Sequence, residues 1–186
     1  PGCVAEEIRN LLLRQKTGIG MLFYNFHGRM RDHRDIPGDL QNRYANGKLS
    51  FMVLKIHPDA CRRMIQFHGE YKALGYDHFY GLPNRPRYRE GAGCSAYAAA
   101  YLEIAGLLSD EYRTRWTRFI RVPERYIGPP VGSRRVSITE LVFSLFRTSW
   151  ARSGDPNHRP IFFWDPDLMH QWVIQTWDQQ WRHPQG

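Results

Sequence analysis

Residues 88–108 read YREGAGCSAYAAAYLEIAGLL. Gly91, Ala92 and Gly93 lead into Cys94, and good helix formers run on to Leu107 with Gly106 near the end. The pattern predicts a loop that becomes an α-helix at the cysteine. Ala96, Ala98, Ala99 and Ala100 would let a neighbouring element approach that helix closely. A helix N-terminus offers unpaired N–H groups and a partial positive charge. A thiolate there is stabilised, and the same N–H groups can donate to the oxyanion of an acyl transfer. The glycines would let a substrate backbone come near without a Cβ in the way. Gly93-Cys94-Ser95 therefore fits a nucleophile at a helix start. The competing role for Cys94 is that of a small apolar residue that packs well.

Working outward, residues 76–93 form a long loop rich in aromatics, proline, glycine and arginine, a length that compact domains reserve for function or disorder. Before it, Met64, Phe67, Tyr71 and Leu74 make the apolar stripe of a helix that His57-Pro58-Asp59 opens, with Asp59 as its cap and Gly75 as its end. Residues 49–56 (LSFMVLKI) and 21–26 (MLFYNF) read as strands, and the polar stretch between them, with Pro37 and Gly38, as a loop or hairpin tip. Helices are expected over 4–16, over 110–120, over 136–150 behind a Ser137/Glu140 capping box, and after Asp165-Pro166-Asp167. Ile161–Trp164 is expected as a short strand. Helices and strands do not alternate regularly, so the fold class is α+β, a small antiparallel sheet with several packed helices, rather than a doubly wound sheet.

The 186 residues suit one domain, 1–186, whose abrupt start at Pro1 is consistent with a fragment or processed form of a longer chain. No run of about 18 apolar residues exists, so no transmembrane segment is expected. The net charge of +8, mostly from arginine, favours anionic partners. Three cysteines leave at least one thiol unpaired; Cys3 with Cys61 is one pairing, and three reduced thiols the other. There is no CxxC, Walker loop, dinucleotide-binding glycine motif or HExxH, and no cofactor is expected. Asp165, Asp167 and His170 could be read as metal ligands, but a helix cap at Asp165 with Pro166 in the first turn explains them more simply, so no metal is assigned.

GAGCSAYAAAYLEIAGLL resembles the Cys-Ser-x-aromatic helix start of the NlpC/P60 superfamily of papain-like cysteine enzymes. The order Phe51–Ile56, Arg62–Leu74, Tyr76–Tyr80, Cys94–Gly106 resembles its circularly permuted branch, which includes lecithin retinol acyltransferase-like and YiiX-like proteins. The likeness covers about residues 49–108, a third of the chain. It implies a papain-like (NlpC/P60-type) fold and thiol chemistry on amide or ester bonds, as in cutting peptidoglycan stem peptides or moving acyl groups. In the permuted order the histidine lies upstream on a strand, which selects His27 as the base for Cys94. In the unpermuted order His158 serves, oriented by Asp165 or His170; a histidine outside this chain is a third option. Tyr80 would border the pocket, its alternative being to pack under the loop. Arg85, with Arg87 and Arg89, would hold a carboxylate or phosphate of the substrate, or else form a solvated charged loop.

The expectation is thus a papain-like cysteine hydrolase or acyltransferase of bacterial type. Its catalytic residues are Cys94 and His27, and its substrate-binding residues Tyr80, Arg85 and Ser95. The substrate would be anionic, such as peptidoglycan or an envelope acyl-lipid, met in the periplasm or after secretion, with the cytoplasm as the alternative. The rival expectation is a non-catalytic basic module that binds a polyanion or nucleic acid.

Overall fold

Small side chains at the middle of the chain decide what sits next to Cys94. In a computed structural model that describes residues 2–30, 34, 36–145 and 150–182, with side chains for all of these except 2–5 and 143–145, a helix runs over Cys94–Ala105. Gly93 precedes it in an extended conformation, and Gly106, at φ 73°, ends it in the left-handed region that glycine enters freely. Its buried face is Ala96, Ala99, Ala100 and Ile104. Three of these four are alanines, so the helix is applied closely to a second helix, Pro58–Ala73, and to a strand, His158–Trp164.

In chain order the helices are α1 (Gly2–Asn10), α2 (Ile36–Ala45), α3 (Pro58–Ala73), α4 (Cys94–Ala105), α5 (Asp110–Arg115), α6 (Ile138–Leu145) and α7 (Pro166–Arg182). The strands are β1 (Phe26–His27), β2 (Phe79–Tyr80), β3 (Thr117–Pro123) and β4 (His158–Trp164). They form two separate two-stranded antiparallel sheets, β1 with β2 and β3 with β4. The class is α+β.

The longer ladder runs from Thr117 opposite Trp164 to Pro123 opposite His158. Val122 and Ile161 from it join Ile127 in the tightest part of the core, over which Ile19, Leu22, Phe23 and Val131 pack. Gly18 admits this packing, since a Cβ there would lie 2.6 Å from the Tyr126 carbonyl oxygen. A second, aromatic cluster joins α3 to α4. The Tyr71 and Tyr97 rings lie 4.9 Å apart, and Phe67 lies 5.7 Å from each of them. Offset and edge-on pairs of this kind each add roughly 1 kcal/mol beyond the area they bury.

Five sequence expectations are corrected. Residues 21–26 are not one strand: a 3-10 helix covers Ile19–Phe23, and only Phe26–His27 pairs. Residues 49–56 form no strand, since no neighbouring segment supplies a ladder; Phe51, Val53 and Ile56 lie exposed, with Trp177 donating its indole N–H to the Phe51 carbonyl. The polar stretch after Gly28 holds α2 rather than only a hairpin tip. The helix expected over 110–120 stops at Arg115, and Thr117–Pro123 becomes β3, because the chain pairs with β4 there. The cap of α3 is His57, whose Nδ1 accepts from the Asp59 N–H at 3.2 Å, and not Asp59. The Ser137 cap is present, its Oγ accepting from the Glu140 N–H at 3.2 Å.

Candidate functional site

Cys94 opens α4 and is exposed. Gly93 has no side chain to cap the helix, and no acidic residue occupies the first turn, so no described side chain caps the leading N–H groups. The Cys94 Sγ lies 3.9 Å from the Ser95 Oγ, and Ser95 is half-buried. Beside the thiol is a cavity of about 590 Å3 whose walls include Met30, Ile36, Tyr71, Phe79, Tyr80 and Tyr97, with Asp77 and Arg29 as its charged members. Its surface is mainly apolar.

The β1–β2 pair builds one wall. Phe26 lies opposite Tyr80, and His27 opposite Phe79. Pairing continues past β1, with the Gly28 N–H donating to the His78 carbonyl (2.9 Å) and the Met30 N–H to the Asp77 carbonyl (3.1 Å). On the other side of β2 the Ala92 N–H donates to the Phe79 carbonyl at 3.2 Å. Gly91 makes that approach feasible: its φ is 74°, and a Cβ there would meet the Phe79 carbonyl oxygen at 2.6 Å. The glycines before Cys94 therefore make room for the chain's own β2, where the sequence suggested room for a substrate. Gly93 faces the Tyr80 ring, with the Tyr80 hydroxyl 3.5 Å from where a Cβ would stand.

Cys94, Ser95 and Tyr80 come together. Burial, and then the charge of the nearby Cys94, raise the Tyr80 pKa, so this phenol stays a hydrogen-bond donor across the neutral range. His27 does not join them. Residues opposite one another on a ladder share a face, and successive residues alternate, so His27 and Tyr80 point to opposite sides of the β1–β2 pair. The His27 ring is 72% exposed, packs 5.3 Å from the Phe79 ring and stands 3.5 Å from the Glu7 carboxylate through Nδ1, and it does not line the cavity. His158 lies at the far end of the β3–β4 ladder, its Nδ1 engaged with the Asp155 carbonyl. No described histidine lines the cavity; His68 touches its wall through a 2.8 Å hydrogen bond between its Nδ1 and the Tyr97 hydroxyl, and His78 stands 3.8 Å from Asp77 through Nε2.

Arg85 lines a different cavity, of about 320 Å3, with Arg87, Tyr88, Arg113 and Trp164. Its guanidinium is already spent on Glu90, through Nε at 3.2 Å and Nη2 at 2.6 Å, and lies 4.5 Å over the Tyr88 ring. Those hydrogen bonds from Arg85 lower the Glu90 pKa. Asp165 is a cap: its Oδ1 accepts from the N–H groups of Asp167 (2.9 Å) and Leu168 (3.3 Å). Among the described residues no group of three or more His, Cys, Asp or Glu side chains could hold a metal ion. Nor is any described helix long and apolar enough to cross a membrane. Cys61 is an exposed free cysteine on α3; the Cys3 side chain lies outside those described.

Sequence reasoning missed Asp77. Its side chain is only 7% exposed, and its Oδ1 is one of two buried side-chain polar atoms without a hydrogen-bond partner among the described residues, the other being the Trp116 indole nitrogen. A single aspartate in a Tyr-rich loop gives no periodic signal. No family model, no curated protein and no solved structure matches the chain.

Proposed function

We propose that this protein is a papain-like cysteine enzyme that transfers acyl groups, with Cys94 as the nucleophile. The observation that carries the reading is the placement of an exposed thiol at an uncapped helix start beside an apolar cavity of about 590 Å3. The thiol gives up its proton to solvent, and the thiolate sulfur bonds to the carbonyl carbon of an ester or amide. The carbonyl π electrons move onto oxygen, where the first-turn N–H groups of α4 and the Tyr80 hydroxyl can donate to it. Collapse breaks the carbon–oxygen or carbon–nitrogen bond, and the leaving group departs with a proton from water. Water or another acceptor then cleaves the thioester and restores the thiol.

Two features favour an acyl ester over a peptidoglycan stem peptide within this class. The cavity walls are largely apolar, which suits an acyl chain. Arg85, the cation expected to hold an acidic substrate, is already paired with Glu90. A net charge of +8 is compatible with meeting that ester at an anionic lipid surface. His27 does not line the cavity and has no part in this mechanism, so the thiol proton goes to solvent.

The test is mass spectrometry of the intact protein after incubation with p-nitrophenyl hexanoate. A hexanoyl adduct on wild type that is absent from Cys94→Ala supports the reading. An unmodified protein, or an adduct that survives Cys94→Ala, overturns it.

A further inference from the structure

The carboxylate of Asp77 sits at the wall of the Cys94 cavity with its Oδ1 unbonded, although the side chain is more than nine-tenths buried. Burying an ionised carboxylate costs several kcal/mol unless hydrogen bonds or a counter-charge replace its water. The chain supplies neither in full. The nearest basic side chain is His78, whose Nε2 stands 3.8 Å from Oδ1, beyond hydrogen-bonding distance, on a ring that is 62% exposed. Arg29 lines the same cavity, but no ion pair within 4.0 Å joins it to Asp77.

What surrounds the carboxylate narrows what would satisfy it. Its charge helps raise the pKa of Tyr71, behind burial, and adds the smallest part to that of Tyr97, behind burial, the Tyr101 hydroxyl and Tyr71. Both rings belong to the cavity wall. The Tyr97 hydroxyl is already engaged, with His68 at 2.8 Å and Tyr101 at 3.2 Å. Aromatic rings next to a buried carboxylate attract a cation. The open Oδ1 asks in addition for a hydrogen-bond donor. A protonated primary or secondary amine meets both demands, and a quaternary ammonium meets only the first.

We infer that the substrate of the Cys94 site carries a protonated amine, which donates to the Asp77 carboxylate beside the rings of Tyr71 and Tyr97 while its apolar part fills the rest of the cavity. This deepens the acyl-transfer reading and rests on it for the meaning of the word substrate, but the amine subsite is tested by binding alone. In the full chain carrying Cys94→Ala, titration calorimetry at pH 7 would compare hexylammonium chloride, hexan-1-ol and hexyltrimethylammonium chloride.

Hexylammonium is expected to bind at least tenfold more tightly than either of the others. Adding Asp77→Asn should abolish that preference and leave hexan-1-ol unchanged. Equal binding of amine and alcohol, as when water simply fills the place, would overturn the inference, as would a preference that survives Asp77→Asn. Equal binding of the two ammonium ions would overturn the donor requirement. If circular dichroism shows that the Asp77→Asn chain does not fold, the three-ligand comparison on the Asp77 chain still decides. Failure here leaves Cys94 acylation by a neutral ester intact, and failure of that acylation leaves the amine preference standing, so the two results separate.

Discussion

Asp77 and Asp165 are buried alike, with side chains 7% and 8% exposed, yet their surroundings are opposite. Asp165 accepts from two backbone N–H groups at the start of α7 and from the Arg118 guanidinium. Burial alone would raise its pKa, but those bonds together outweigh it, and the net shift is downward. Asp77 has no hydrogen bond at Oδ1. One carboxylate holds the fold together and the other waits at a cavity beside a thiol. Satisfaction, rather than burial, separates a structural acid from a candidate binding acid.

The largest effect expected from this contrast is on stability. Asp165→Ala removes a helix cap and leaves Arg118 without its carboxylate, and should cost about 2–3 kcal/mol. Urea denaturation at pH 7 measures it. The sign with pH follows from the lowered pKa: the contribution of Asp165 is complete above the ordinary carboxylate value and is lost as pH falls through the lower folded one. The wild type and Asp165→Ala should therefore converge in stability toward acid. A cost under about 0.5 kcal/mol, in the range of ordinary surface substitutions, would erase the contrast from the Asp165 side.

A smaller effect is expected on the other side. Asp77→Asn removes a buried charge that lacks a hydrogen bond, so it should leave stability within about 0.5 kcal/mol of wild type or raise it. The same urea experiment reads it. A loss as large as that of Asp165→Ala would mean that Asp77 braces the fold and that the contrast with Asp165 is false.

The two acids also differ in how far the sequence exposed them. Asp165 stood before Pro166 and an apolar helical run, a local signature of a cap, and the cap is there. Cys94 was legible for the same reason, since Gly93 before it and Gly106 after the alanines bound α4 by local chemistry. Asp77 was not, because the residues that share its cavity wall, Met30 and Tyr97 among them, are distant in the sequence. Non-local pairing also explains the failed strands. Residues 49–56 have strand composition but no ladder partner among the described residues, whereas Thr117–Pro123, broken by arginines, pairs along its whole length with β4. The strand expected over 21–26 stopped short of His27, and which face of the two-residue ladder His27 would take could not be read from its neighbours.

The finest effect reaches Tyr71, where the open carboxylate acts at a distance. Burial first, and the Asp77 charge second, push its pKa to about 12. A tyrosine whose folded pKa is raised contributes stability in full below the ordinary value of about 10, and loses it as pH rises through the folded value. Between about 10 and 12 the fold must therefore weaken as Tyr71 is pressed to ionise. Asp77→Asn removes the charge and leaves the burial, so its alkaline unfolding curve should shift slightly to higher pH, and Tyr71→Phe should shift it further in the same direction. Tyrosinate absorbance near 295 nm and circular dichroism, followed together, separate ionisation from unfolding. If Asp77→Asn leaves the alkaline transition where it was, the Asp77 charge is not felt at Tyr71. The amine subsite would then lose the aromatic half of its case while keeping the open Oδ1.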